Sequence, residues 1–284
     1  MFPLLFVLLW STGFIAAKYG LPYAPPLTFL LYRFALVAAL VGLFALVTRA
    51  PRPRSWREIA HSAFAGWLVH GLYLGGVFIA LADGMAAGTI AMLVGLQPLL
   101  TVVIARAWLG ERLATRQWVG LMLGLAGVWL VVRHKVALDA NLAALLPAAV
   151  ALAGISVGTL WQKRHCAHLD LRTGAVIQFA ACALLYAPIV AWIEAPAVRW
   201  TGSFGFALGW SVLVLSLGAI SLLYWLLRHG AAADVARLFY LVPMVTALMA
   251  WALFGETLDA PALAGMVVIA VAVAIGRPRP PSPA

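Results

Sequence analysis

One stretch of this chain occurs twice. Pro98, Thr101, Ala105, Ala107, Gly110, Glu111, Leu113 and Gly120 reappear, 145 residues later and without a gap, as Pro243, Thr246, Ala250, Ala252, Gly255, Glu256, Leu258 and Gly265. A constant offset running through an apolar segment and the turn after it marks an internal duplication. The same offset relates Lys18 to Lys163 and Phe34 to Phe179, so the repeat reaches back into the first segments of each half.

The duplicated unit is a membrane unit. Mean hydropathy is +1.02, hydrophobic residues make up 65% of the chain and charged residues 10%, which leaves too little polar surface to coat a soluble globule. A helix needs about 20 apolar residues to cross ~30 Å of hydrocarbon. Ten such runs are expected, at 2–19, 27–47, 61–82, 85–109, 117–133, 142–161, 173–193, 204–227, 231–254 and 260–276. The fold class expected is therefore an all-α membrane protein of ten transmembrane helices. The first run begins Met1-Phe2-Pro3 with no basic region before it, and reads as a retained transmembrane helix.

Five helices per copy is an odd number, so the second copy crosses the membrane in the opposite sense. Two inverted repeats, 1–138 and 139–284, follow from that parity. Inverted repeats are a construction that secondary transporters use, since exchanging the conformations of the halves turns an inward opening into an outward one.

The net charge of +10 would suggest nucleic acid in a soluble chain, but here the basic residues fall between apolar runs, where they set topology. With the N-terminus inside, thirteen Lys and Arg residues lie on the cytoplasmic side and four on the other, and both termini are cytoplasmic. A bacterial inner membrane is the expected location, with the lipid bilayer and a small-molecule substrate as partners and no nucleic acid. Cys166 and Cys182 imply no disulfide framework, and neither a metal set nor a cofactor motif is visible. Close GxxxG pairs such as Gly154/Gly158 read as packing within one subunit, so a monomer or weak homodimer is expected.

Two five-helix repeats, the opening Leu9-Trp10-Ser11-Thr12-Gly13-Phe14 and a Pro-containing fourth helix ending in Leu109-Gly110-Glu111-Arg112-Leu113 resemble the EamA family of the drug/metabolite transporter superfamily. The resemblance implies a secondary transporter for amino acids, metabolites or drugs, often moving them outward. Ile155 stands where the second copy would repeat Trp10.

Ionisable groups inside a membrane are costly and are functional suspects by default. His70, with Trp67 at i−3 and Tyr73 at i+3, forms one stripe on an ideal helix, suited to stacking an amphiphilic substrate, and the imidazole could couple transport to protons. Arg33, ~10 Å along the second helix, could attract a substrate carboxylate or could snorkel to the interface. Gln97 and Thr101 flank Pro98, which frees the carbonyl of Val94 as Pro243 frees that of Phe239; paired bends at a central site or simple packing kinks both fit. Trp10, Trp161, Tyr224 and Tyr240 add aromatic surface to the candidate site. Glu111 and Glu256, each after a helix-ending glycine, Gly110 or Gly255, lie on opposite membrane faces under inversion and read as turn-fixing residues. With Pro98 and Pro243 they form the expected hinges.

An intramembrane enzyme would need a nucleophile, a metal set or paired carboxylates, yet all nine acidic residues lie at helix ends or in connectors. A purely structural subunit would not call for inverted duplication. The chain is expected to be a carrier, more an exporter than an importer, with differences between the halves marking the chemistry: His70 against Leu215, Arg33 against Gln178, Gln97 against Val242, Trp10 against Ile155.

Overall fold

The computed structural model describes residues 2–109, 115–139, 142–195, 197–219, 222, 241–257 and 259–275. The first three predicted runs become α1 (Phe2–Gly20), α2 (Pro26–Val47) and a composite rod of α3 (Trp56–Gly66), a π-helical segment π1 (Trp67–Leu72) and α4 (Tyr73–Ala82). The fourth is α5 (Ala87–Val94) and α6 (Gln97–Leu109), followed by α7 (Thr115–Asp139). The second half comprises α8 (Leu145–His165), α9 (Leu171–Ile193), α10 (Gly202–Gly209) continuing into π2 (Trp210–Ala219), α11 (Val242–Phe254) and α12 (Ala260–Ile275).

The fold is that of a helical membrane protein. Among the described residues, seven of the helical rods are long and apolar enough to cross a bilayer. Three shorter apolar helices, Trp118–Gly127, Val242–Phe254 and Leu263–Ala272, occupy parts of the other three predicted runs. Large apolar side chains cover the periphery, including Leu46, Leu184 and Trp192. Such a surface is tolerable only against lipid.

The connectors gather at two ends, as alternating crossings require. At the predicted external face, Glu194 accepts hydrogen bonds from Leu27 N (2.9 Å), Thr28 N (2.7 Å) and Thr28 Oγ1 (2.7 Å), capping α2 from the far half of the chain. At the other face, Arg172 Nη1 donates to Thr48 Oγ1 at 2.8 Å and Thr173 Oγ1 to the Pro51 carbonyl at 2.6 Å.

The main helix pairings are α2 with α9, α7 with α12, α4 with α8, α1 with α10 and π2, α5 with α11, and α1 with α11 beside α6 with α8. Exchanging each rod with the one 145 residues away maps this set onto itself. The π segments obey the same exchange, because Trp67–Leu72 shifted by 145 falls at 212–217, inside π2.

The fourth run bends one turn before Pro98, where α5 ends at Val94 and α6 begins at Gln97. Gly95 lies at this break, and a side chain there would meet the Pro243 ring at 3.0 Å. Thus the bend of one half rests on the proline of the other. Gly255 ends α11 with φ +65°, the left-handed conformation that favours glycine. Glu256 departs from the expectation that it serves its own turn. Its carboxylate reaches α5 instead, accepting from Ala87 N at 2.8 Å and Gly88 N at 3.4 Å, and also pairs with Lys18 at the end of α1. Two N–H groups of the first turn of α5 and an ammonium offer a carboxylate more than one local turn could. Gly110 and Glu111 lie outside the described residues.

Candidate functional site

A cavity of ≈120 Å³ lies between the halves, room for on the order of ten water-sized groups. Trp10, Gly13 and Phe14 of α1, Arg33 of α2, Val69 and His70 of π1, and Tyr73, Leu74, Val77 and Phe78 of α4 line one side. Ile155 of α8 with Leu215 and Ala219 of π2 line the other. Three positions singled out for differing between the copies therefore meet here, Trp10 and His70 together with their counterparts Ile155 and Leu215, and Arg33.

The cavity is shut toward the predicted external face. Phe78 packs on Phe29 with ring centroids 5.2 Å apart, and Phe29 on Phe204 edge-to-face at 5.7 Å; all three rings are fully buried. Gly20 leaves the space the Phe29 ring fills. Beyond this aromatic plug the Lys18–Glu256 pair ties α1 to the loop after α11.

Arg33 does not snorkel. Its side chain turns into the protein, 7% exposed, where Nη2 and Nε donate to Ser216 Oγ at 3.2 and 3.4 Å. Its charge lies close enough to act on both Tyr73 and His70. The His70 imidazole stacks on Phe179 of α9, with centroids 4.3 Å apart and planes 22° from parallel.

Trp67 leaves the expected stripe. It lies at the start of π1, where the wider winding turns less per residue than an α-helix does, so that residues three apart no longer fall on one stripe. The indole ends 39% exposed on the flank of α9, with Nε1 donating to the Ala181 carbonyl at 3.0 Å. The widened turn is held open by Tyr186 of α9, whose hydroxyl donates to the Gly71 carbonyl at 2.9 Å.

Trp161 also lies away from the cavity. It sits near the opposite end of α8 in a cluster with Phe64 (4.7 Å), His165 (4.3 Å), His61 (5.5 Å) and Trp108 (5.7 Å). Gln97 and Thr101 do not line the cavity either; Thr101 Oγ1 is buried without a hydrogen-bond partner among the described residues. Tyr224 and Tyr240 lie outside the described residues. Sequence reasoning missed Ser216, which orients Arg33, and Phe179, which carries His70. Phe179 had a signal in its repeat relation to Phe34, whereas Ser216 had none.

Comparison with known proteins decides the family. The EamA-like transporter family model matches residues 1–133 and again 142–276. This chain belongs to the EamA-like transporter family. The transporter YvbV of Bacillus subtilis is 26% identical over 95% of this chain and 88% of its own length. The inner membrane transporter YedA of Escherichia coli K12 is 26% identical over 97% and 90%. A Salmonella typhimurium protein named "Probable amino-acid metabolite efflux pump" is 27% identical over 94% and 90%. A solved crystal structure shares the fold, with a TM-score of 0.68 at 21% identity, covering 97% of this chain and 95% of that one. The EamA relatives are transporters rather than enzymes, and this chain is a multi-pass membrane protein of that kind.

Proposed function

We propose that this EamA protein is a secondary transporter that exports a small organic metabolite, an amino acid or related compound, by alternating access. Its working units are the inverted repeats 1–138 and 139–284, seated in a bacterial inner membrane with both termini cytoplasmic. The observation that carries this reading is the cavity itself, lined from both halves and plugged toward the external face by Phe29, Phe78 and Phe204. A closed external end is one of the two states that alternating access requires.

The self-mapping helix pairings support a two-fold exchange as the motion, with the Gly95–Pro243 contact as its pivot. The name of the Salmonella relative supports both an amino-acid metabolite as cargo and the outward direction. Trp10, Arg33, His70 and Tyr73 are the substrate-contacting residues of this reading.

Counterflow tests it. Protein reconstituted into sealed liposomes loaded with unlabelled phenylalanine or tryptophan accumulates the labelled amino acid, chemically unchanged. No exchange of any amino acid or related metabolite by folded, correctly inserted protein overturns the reading.

A further inference from the structure

The least balanced group in the cavity wall is Arg33. A guanidinium carries five N–H donors and no acceptor. Here it is buried, and its hydrogen-bond acceptor among the described residues is one neutral hydroxyl, Ser216 Oγ. The ion pairs that lysine and arginine form among the described residues, Lys18–Glu256 and Arg172–Asp170, do not involve it. Burying an unpaired charge is expensive, and a protein retains one where a counter-charge arrives from elsewhere.

Ser216 is set as an acceptor rather than left to rotate. Its own proton goes to the Ser211 carbonyl at 3.0 Å, a bond to the fifth residue back that follows the winding of π2. That bond turns the oxygen lone pairs toward Arg33 and leaves the rest of the fork to face the cavity. The facing wall is Ile155, Leu215 and Ala219, and Trp10, Phe14, Val77 and Phe78 line the cavity on the side of Arg33, all apolar or aromatic.

We propose that Arg33, held by Ser216, is a carboxylate subsite, so that the solutes this transporter carries are carboxylates with an apolar or aromatic body. Amines of the same shape that lack the carboxylate are excluded. The planar fork matches a carboxylate in two parallel hydrogen bonds, and the desolvated setting strengthens both. The Tyr73 hydroxyl and the His70 imidazole border the same region, while the apolar wall takes the hydrocarbon. This inference rests on the transporter reading above, and the experiment separates the two.

Purified full-length protein in detergent is titrated calorimetrically with 3-phenylpropionate, with its uncharged amide and with phenethylamine. The acid is expected to bind at least roughly tenfold more tightly than the amide, the size of a hydrogen bond to a charged group, and phenethylamine not at all. Arg33→Gln erases the preference for the acid and Arg33→Lys keeps part of it. Failure of the acid to bind, equal binding of acid and amide by wild-type protein, or a preference surviving in folded Arg33→Gln, overturns the subsite. The wild-type comparison needs no variant to fold. Counterflow of labelled 3-phenylpropionate in liposomes then addresses the transporter reading: acid that binds selectively but never exchanges defeats transport and leaves the subsite standing. Exchange of phenethylamine equal to that of the acid defeats the subsite and leaves transport standing.

Discussion

The Lys18 ammonium meets the Glu256 carboxylate across 238 residues of sequence, joining the end of α1 to the loop that follows α11. The same carboxylate caps α5, so three helices share one anchor at the predicted external face. Glu256 is well buried and Lys18 only partly so.

Opening toward that face must break this anchor. Charged hydrogen bonds contribute about 1.5–3 kcal/mol, enough to shift a two-state equilibrium by roughly tenfold or more. Glu256→Gln is expected to raise the population open to the outside. The check is the labelling rate of a Val77→Cys variant in intact cells by a membrane-impermeant thiol reagent, in a background lacking Cys166. Equal labelling rates with and without the Glu256→Gln substitution would remove the pair from the gating step.

Glu194 is expected to act on stability rather than on gating. Glu194→Ala removes acceptors from Leu27 N, Thr28 N and Thr28 Oγ1 at once, leaving the start of α2 uncapped. A loss of about 1–2 kcal/mol follows, read as a lowered thermal midpoint in detergent. Glu194→Gln, which still accepts, should recover part of it.

Tyr186→Phe tests what holds π1 open. Without its hydroxyl, the buried Gly71 carbonyl loses its cross-helix partner, at about 1–3 kcal/mol. A drop in thermal midpoint accompanied by altered substrate affinity is expected, because Val69 and His70 in the cavity wall belong to the same segment. Unchanged affinity would uncouple the π segment from the site.

Close packing between α3 and α9 sets a further contrast. A Cβ on Gly66 would lie 2.7 Å from Gln178 Cα, backbone that cannot swing aside, whereas one on Gly205 meets nothing within 4 Å. Gly66→Ala is expected to lower stability by about 1–3 kcal/mol, with Gly205→Ala near neutral. Comparable thermal midpoints for the two would contradict the tight α3–α9 approach.

His70 is the candidate for proton linkage. Export by reconstituted His70→Ala protein is expected to lose whatever dependence on an imposed pH gradient the wild type has; flux across graded pH steps measures it. A gradient dependence that persists in the variant assigns coupling elsewhere.

Hydropathy alone determined that this chain lives in a membrane as helices, because a 20-residue apolar run has few other stable fates in lipid or water. The repeat singled out Pro98 and Pro243 as candidate bends and, through the disagreements between copies, five of the residues that line the cavity: Trp10, Arg33, His70, Ile155 and Leu215. What it could not reach depended on contacts between distant segments. The stripe of Trp67, His70 and Tyr73 presumed an unbroken α-helix, and a π turn stabilised by Tyr186, 115 residues from Gly71, carried Trp67 out of it. Whether Arg33 snorkels was likewise undecided by local pattern, since its long stem suits either fate; the hydroxyl of Ser216, 183 residues on, draws it inward. Periodicity reports which residues meet lipid or protein along one helix. Only the packing of one half against the other decides which polar groups face each other across the space between them.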